Sequence, residues 1–285
     1  ADRLNIRLNS DHKINSFLEF GNNLNLYSTG TQGISSSPAG VDAYQSAVLQ
    51  SPLTRPYEAD GSYGYVREPD LEGRTMPPHI LANEYKNSGR SYGASGNIFF
   101  KLHILPGLTF TPRISGDYSN NISKQFAPIV ILRNVEGNVK NTVSRYDGSN
   151  WHWIADFLLN YDRTFNGVHN VSALAGYSRE EEVYEDLQGT RQGTPNNNIQ
   201  YLNAGEIAGA SNSGGYSDWA FISQFGRINY NYDEKYLVQV SVRRDGSSRF
   251  LGKNRYGVFP SYALGWQISK EKFFERVTPV INDLK

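Results

Sequence analysis

The chain consists largely of short segments in which apolar and polar residues alternate one by one. In the segment RLNIRLN, at 3–9, Leu4, Ile6 and Leu8 lie on one side of an extended chain and the polar residues on the other. This period of two is typical of β-strands with one apolar and one polar face. Nine such segments predict an antiparallel all-β fold, at 3–9, 14–27, 92–104, 108–118, 151–162, 171–177, 219–232, 236–245 and 261–269.

The composition favours the same fold class. The 285 residues include 27 Gly, 19 Tyr and 14 Phe but a single Met, which is a bias towards strands and turns. The sequence contains no run of about 18 apolar residues, so it predicts no membrane-spanning helix. A transmembrane barrel, however, needs an apolar residue only at every second position of its strands. Lys+Arg and Asp+Glu are balanced at 28 each, which gives no reason to expect a nucleic-acid partner. The absence of cysteine excludes disulfides and thiolate chemistry.

The connections between the predicted strands alternate in length. Those near positions 11, 106, 166 and 233 are short, whereas those at about 28–90, 121–150 and 185–217 are long. The pair Asn166-Gly167 is a strong signal for a tight hairpin turn. A soluble sandwich has no reason to sort its loops by length, but outer-membrane barrels have short periplasmic turns and long extracellular loops. The pattern therefore favours a transmembrane β-barrel segment over a soluble β-sandwich.

Aromatic residues stand at the ends of the apolar faces, as expected for residues at the two headgroup levels of a bilayer. The expected outer group is Tyr92, Tyr118 and Trp151, and the expected inner group is Tyr161, Tyr230, Tyr232, Tyr236 and Trp266. On the last strand, alternation predicts a lipid-facing set and a set facing the inside of the barrel, its lumen. These sets are Tyr262, Leu264, Trp266 and Ile268, and Ser261, Ala263, Gly265 and Gln267.

The segment RRDGSSRF, followed by NRYGVFPSYALGW and preceded by GRINYNYDEKYLVQVS, resembles the barrel of the SusC/RagA-like TonB-dependent outer-membrane transporters of the Bacteroidetes. This resemblance is continuous over about 225–269, and EKFFERVTPVINDLK resembles the inner connection to the family's next strand. Upstream, the likeness lies in strand rhythm and loop layout.

The resemblance implies a barrel of about 22 strands around an N-terminal plug. We therefore expect 1–285 to be part of a TonB-dependent receptor β-barrel domain, without the plug, the N-terminal extension and the remaining strands. It further implies import of oligosaccharides or peptides across the outer membrane. The implied partners are a SusD-like surface lipoprotein, the TonB-ExbB-ExbD energy complex, which acts through parts outside this chain, and outer-membrane lipid.

Within this segment, Asp245-Gly246 is expected at the tip of a hairpin, with Ser247 and Ser248 bonded to local backbone. Arg243 and Asp245 fall on the polar, lumen-facing side. They are expected to be solvated or paired with each other or with neighbouring strands, the alternative being a contact with plug or substrate.

The first long loop supplies a candidate binding surface. Its tyrosines, Tyr44, Tyr57, Tyr63 and Tyr65, offer flat faces for sugar rings or for a partner protein, or they pack the loop against itself. We expect this loop to contact substrate or the lipoprotein lid in the complete transporter. The acidic stretch REEEVYED, at 179–186, is interpreted as a solvated strand end, with attraction of divalent cations as the alternative.

Nothing in the sequence predicts an enzyme, a metal site or a cofactor. The histidines, at 12, 79, 103, 152 and 169, have no metal-ligand spacing, and HExxH, GxSxG and P-loop motifs are absent. Two functions therefore remain open: part of a nutrient transporter, or a soluble all-β carbohydrate-binding or protein-interaction module.

Overall fold

The computed structural model describes residues 2–34, 43–50, 52, 54–64, 77–130, 139–276 and 283–285. Its main element is a single nine-stranded antiparallel sheet in which the strands follow chain order. The strands are β1 Asp2–Lys13, β2 Leu18–Ile34, β3 Lys86–Leu105, β4 Leu108–Ala127, β5 Thr142–Phe165, β6 His169–Gln192, β7 Ser211–Tyr232, β8 Tyr236–Ser247 and β9 Tyr256–Trp266. The predicted all-β class and the nine antiparallel strands are confirmed.

Two short helices, α1 Ala43–Leu49 and α2 Pro78–Glu84, lie in the connection between β2 and β3. One 3₁₀ turn follows β6, one follows β8 and two follow β9, at Leu202–Ala204, Gly252–Arg255, Ile268–Lys270 and Lys272–Arg276. Across the described ranges, no helix combines the length and the apolar character needed to cross a membrane.

Several strands extend further towards the long loops than the apolar pattern predicts. β5 and β6 each have 24 residues, and their outer halves continue the hydrogen-bonded ladder through polar residues on both faces. Residues 142–150 pair with 184–192 in register, although the alternation of apolar residues has ended there. Hydrophobic periodicity marks only the part of a strand that has an apolar face, so the long loops were predicted too long.

The apolar band crosses the sheet obliquely. Ile6, in the middle of the apolar run of β1, is linked by successive cross-strand pairs to Trp151 on β5. Tyr262, in the middle of the run of β9, is linked in the same way to Tyr161. Trp151 and Tyr161 are ten residues apart, so the band moves slightly more than one residue per strand over eight steps. With about 3.3 Å per residue and about 4.8 Å between strands, the strands are tilted by about 40° from the perpendicular to the band, which is the tilt of strands from the axis in transmembrane barrels.

The turns at the short-loop end use left-handed backbone. Asn166 and Gly167 have φ of 50° and 74°, which confirms the predicted hairpin, and Asp233 and Glu234 at the next short turn have φ of 48° and 54°. Both turns fit the right-handed twist of the strands that they join. The short connections and the long ones are therefore at opposite ends of the sheet.

The hairpin tip predicted at Asp245-Gly246 is wrong. Asp245 and Gly246 are not a hairpin tip but lie inside β8, and the connection to β9 follows at 248–255. Gly246 provides space for an aromatic ring, because a Cβ there would be 2.4 Å from the ring of Tyr256. The predicted bond to local backbone is confirmed for Ser247, whose hydroxyl accepts from the backbone N–H of Arg249. For Ser248 the prediction is wrong, because its hydroxyl accepts from the backbone N–H of Ala220 on the neighbouring strand β7.

The predicted faces of the last strand hold only as far as Trp266. β9 ends there, so Ile268 lies in a 3₁₀ turn and not on the apolar face. Gln267 also lies beyond the strand: its backbone N–H bonds to the carbonyl of Lys235, and its side chain donates to Ser269. The turn starts here because Lys270 and Glu271 bond back to Gln267 and Ile268 and so end the ladder.

Candidate functional site

The face opposite the apolar band carries polar side chains from all nine strands, and two clusters on it are well defined. In the first cluster, Arg243 Nε is 2.8 Å from both carboxylate oxygens of Asp245. Its Nη2 donates to the hydroxyl of Ser223 on β7 at 2.9 Å, and its guanidinium is 5.5 Å from the centroid of Phe225. The arginine thus joins β8 to β7 through an ion pair, a hydrogen bond and a cation–π contact.

Strand geometry explains this first cluster. Residues two apart on a strand share a face, so Arg243 and Asp245 are neighbours within β8, and register places Ser223 and Phe225 opposite them. Ser223 is 2% exposed, whereas half of the Arg243 side chain is accessible. The pairing within the strand is one of the arrangements that the sequence left open.

The second cluster spans β4 to β7. His152 Nδ1 lies 3.0 Å from Asp117 Oδ1, and His152 Nε2 lies 2.7 Å from Glu180 Oε1. Trp219 Nε1 donates to Glu182 at 3.2 Å, and its ring centroid is 6.1 Å from that of His152. Carboxylates beside an indole form a surface that accepts hydrogen bonds from hydroxyl or amino groups and stacks against flat or ring-shaped groups.

Sequence reasoning missed this cluster because its members are far apart in the chain. The acidic stretch 179–186 is not a strand end but the middle of β6. Alternation within it places Glu180 and Glu182 with His152 on the polar face, and Arg179 and Glu181 on the opposite face. Alternation in the sequence predicts which face of the sheet each of these residues lies on. It does not predict that Asp117 is opposite His152, because that depends on the register between β4 and β5.

A third group of residues lies in the connection between β2 and β3. Ile80, Leu81 and Tyr85 form a small buried core with Val130 from the next long connection. Tyr63 packs against this core, and its hydroxyl donates to Glu84. Burial raises the pKa of Tyr63, and the hydrogen bond to Glu84 raises it further, while burial raises the pKa of Tyr85 to about 12.

Two of the candidate tyrosines face solvent. Tyr57 stacks on Tyr63 with ring centroids 5.8 Å apart and is 50% exposed, while Tyr44 on α1 is 79% exposed. His79 lies against both Tyr57 and Tyr63, at 5.2 and 5.6 Å. Packing within the loop therefore accounts for Tyr63, whereas Tyr44 and Tyr57 keep accessible ring faces. Tyr65 lies outside the described residues.

The long connections also contact one another. The Asn197 side chain, in the connection after β6, bonds to the backbone N–H and carbonyl of Ile129, at 2.8 and 3.1 Å. Asn141 and Thr194 form a second link through two hydrogen bonds. These contacts hold the connection after β4 and the connection after β6 against each other.

At the short-turn end, aromatic rings form a continuous row on the apolar side. The rings of His169, Tyr232, Tyr236, Trp266 and Phe273 follow one another at centroid distances between 5.0 and 6.4 Å. Glu271 accepts from the Tyr236 hydroxyl and the Trp266 indole, and these bonds lower the pKa of its carboxyl. The outer aromatic group includes the contact of Tyr118 with Trp151 at 5.7 Å. Within the part of the chain that the structure describes, no three metal-binding side chains converge.

Comparison with known proteins places this sheet in a class. No protein-family model matches the chain. The TonB-dependent receptor P39 of Formosa agariphila is 31% identical over 279 residues, which cover 96% of this chain and 25% of that protein. The TonB-dependent receptor SusC of Bacteroides thetaiotaomicron is 28% identical over 236 residues, which cover 78% of this chain and 21% of that protein.

A structure of the RagAB peptide transporter has the same fold as this chain, with a TM-score of 0.77 at 21% sequence identity. The match covers 96% of this chain and 31% of the transporter chain. The chain belongs to the TonB-dependent receptor family, as the relative P39 shows by its identity over nearly the whole chain. These relatives confirm the resemblance to the SusC/RagA-like group. The chain spans about a quarter of the length of the curated relatives it matches. Their names describe receptors, which agrees with the prediction that the chain is not an enzyme.

Proposed function

We propose that this chain forms part of the wall of an outer-membrane nutrient importer, with its apolar band against lipid and its polar face towards the transport path. The observation that carries the proposal is the two-sided sheet: an oblique apolar band on one face, clusters of charged and aromatic groups on the other, and loop length sorted by end. A soluble binding module needs no such band, because its apolar residues are covered by a second layer.

The proposed substrates are oligosaccharides or peptides. Both present hydroxyl or amide groups that the carboxylates beside His152 and Trp219 can bind, and both offer ring or planar groups for stacking. The name of the RagAB structure refers to peptide transport and thereby supports a peptide as one alternative.

At the long-loop end, Tyr44 and Tyr57 are proposed to contact substrate or a SusD-like lipoprotein. The energy for import would come from the TonB-ExbB-ExbD complex, acting through parts of the complete transporter outside this chain.

The orientation of the wall is tested by cysteine substitution in the complete transporter, after any cysteine outside this chain has been replaced by serine; this chain itself contains none. Leu264→Cys and Ala263→Cys are adjacent on β9 and belong to opposite faces. In the complete transporter in intact outer membranes, a water-soluble maleimide is expected to label position 263 and not position 264. The reverse pattern would contradict the proposed faces, and equal labelling of both positions would favour a soluble module.

The substrate surface is tested by Tyr44→Ala and Tyr57→Ala in the complete transporter. Growth on the nutrient is expected to slow, or co-purification of the lipoprotein to decrease, while the folded barrel band on gels is unchanged. Tyr216→Ala is the matched control, since Tyr216 is an exposed tyrosine on β7 away from the first long connection. Normal growth and normal co-purification in both tyrosine variants would contradict the proposed role.

A further inference from the structure

An apolar groove of about 520 Å³ runs along the outward face between β5 and β8. Ala175 and Gly226 form its floor, because small residues at these paired positions leave a depression in the sheet. Phe157 and Tyr177 form one wall, with ring centroids 6.2 Å apart, and Val242 lies on the other side. The groove is open on the outward face and its lining is mainly apolar, which suits a hydrocarbon chain.

The groove ends at a cation. Arg244 is the next outward-facing residue of β8 after Val242, in the direction of the long loops. Its guanidinium stacks over the Tyr256 ring at 4.3 Å and donates to the Gln224 side chain at 3.2 Å. Among the described carboxylates, none is within ion-pair distance of Arg244, in contrast to Arg243 on the opposite face, which binds Asp245.

A second arginine stands nearby on the same face. Arg179 on β6 is paired with Ile222 on β7, one outward position beyond Gln224. Its charge is shared with Glu181, and its guanidinium is 5.8 Å from the Trp153 ring. Both arginines thus lie against aromatic rings towards the outer edge of the apolar band. Of the two, Arg244 has no carboxylate partner among the described residues, so a lipid phosphate would stabilise its charge.

We propose that this groove binds a phosphorylated glycolipid of the outer leaflet, with one acyl chain between Tyr177 and Val242 and a phosphate on Arg244. The inference rests on the proposed membrane position of the wall. Charge complementarity selects an anionic headgroup, because Arg244 has N–H donors beyond the one bonded to Gln224 and lies at the end of the groove. Its position towards the long loops selects the outer leaflet.

The groove at Gly96 and Gly116, which is rimmed by Tyr118 and Trp151, provides an internal comparison. It is similarly apolar, with a volume of about 330 Å³, but no arginine or lysine lines it. It is expected to hold hydrocarbon without selecting a headgroup.

The test measures lipid retained by the complete transporter after purification in detergent, by native mass spectrometry. The added probes are diphosphorylated lipid A, its dephosphorylated form, phosphatidylglycerol and inorganic phosphate. Arg244→Gln is expected to lower retention of diphosphorylated lipid A about tenfold, as for loss of a charge-assisted hydrogen bond. Gly226→Leu fills the groove and should lower it as well. Gly226 tolerates a side chain, because a Cβ there would be 3.7 Å from its nearest neighbour.

Arg227→Gln is the matched control, since Arg227 lies on the opposite face of β7 and the charge change is the same. Equal retention in the Arg244 and Arg227 variants would overturn the proposal, as would equal binding of the dephosphorylated lipid, of phosphatidylglycerol or of phosphate alone. The folded gel band identifies variants that fail to assemble, and Gly226→Leu keeps the test valid if Arg244→Gln does not fold. If the wild-type protein does not fractionate with outer membranes, the proposed function itself fails. If it does so and lipid A retention does not depend on Arg244, only this inference fails.

Discussion

Arg243 binds Asp245, the residue two positions further along the same strand, with Nε at 2.8 Å from each carboxylate oxygen. Because the arginine also reaches Ser223, the pair fixes β8 to β7 on the polar face. Arg243→Lys keeps the charge but loses the planar fork. We expect a loss of about 1 kcal/mol or less, since half of the arginine side chain is solvated.

The stability of the Arg243→Lys variant is measured as the temperature at which the complete transporter loses its folded band on gels. Arg227→Lys, on the same face but without a carboxylate partner among the described residues, is the control and should leave that temperature unchanged. Identical midpoints for both variants would show that the Arg243 fork adds no stability.

The hairpin between β5 and β6 requires left-handed backbone at Gly167, where φ is 74°. Gly167→Ala is expected to destabilise the barrel by about 1 kcal/mol, because a Cβ is strained in that conformation. Gly33→Ala is the comparison, since Gly33 has no positive φ and has open space around its Cβ position. The unfolding temperature is measured for both variants. An equal decrease in the two would argue against backbone strain at Gly167 as the cause.

Gly246 and Tyr256 form a second testable pair, since the tyrosine ring occupies the space of the missing side chain. Gly246→Ala should lower the unfolding temperature because the ring must move off its position under Arg244. In the background of Tyr256→Ser, the same substitution should have almost no effect. A double-mutant cycle measures this coupling, and additive effects would contradict the steric explanation.

His79 makes the packing of the first long connection sensitive to acid. Burial lowers its pKa from 6.5, and its Nε2 is buried with no hydrogen-bond partner in the structure. The folded loop therefore favours the neutral ring, so stability is complete above pH 6.5 and decreases as the pH falls below that value. Hydrogen exchange in 77–85 of the complete transporter should increase between about pH 7.5 and about pH 5.5 once intrinsic rates are removed.

His79→Phe is the variant that removes the titrating group and keeps a ring beside Tyr57 and Tyr63. Its exchange in 77–85 should no longer respond to acid. A response that persists unchanged in this variant would assign the pH dependence to another group.

Period-two alternation predicted the strand count, the antiparallel class and the faces, because burial on one side acts on every second residue. It predicted Leu264 and Ala263 on opposite faces without knowledge of any partner strand. The outer halves of β5 and β6 were missed because backbone hydrogen bonds continue there with no apolar face to mark them. Gly246 was placed in a turn because a glycine that accommodates a ring and a glycine that turns the chain look alike in sequence.

The His152 cluster shows a different limit. Alternation correctly places Asp117, His152 and Glu180 on the polar face. Their contact depends in addition on the register of β4 with β5 and of β5 with β6. A shift of one residue in either pair would separate them. For the tyrosines of the first long connection, the sequence allows either an exposed binding surface or packing within the loop. In the structure Tyr63 packs against the buried core of the loop, whereas Tyr44 is exposed.

The oblique course of the apolar band has a consequence for the opposite face. Along successive strand pairs, His152 is level with Trp219, several residues beyond Arg243 in the direction of the long loops. The tilt of the strands compensates for most of this difference. From β5 to β8 the apolar band shifts along the strands by about four residues, in the same direction as the difference between the two clusters. Measured perpendicular to the apolar band, the two clusters then differ in height by only about 5 Å. The two clusters therefore form one nearly level row of charged and aromatic groups across the five adjacent strands β4 to β8.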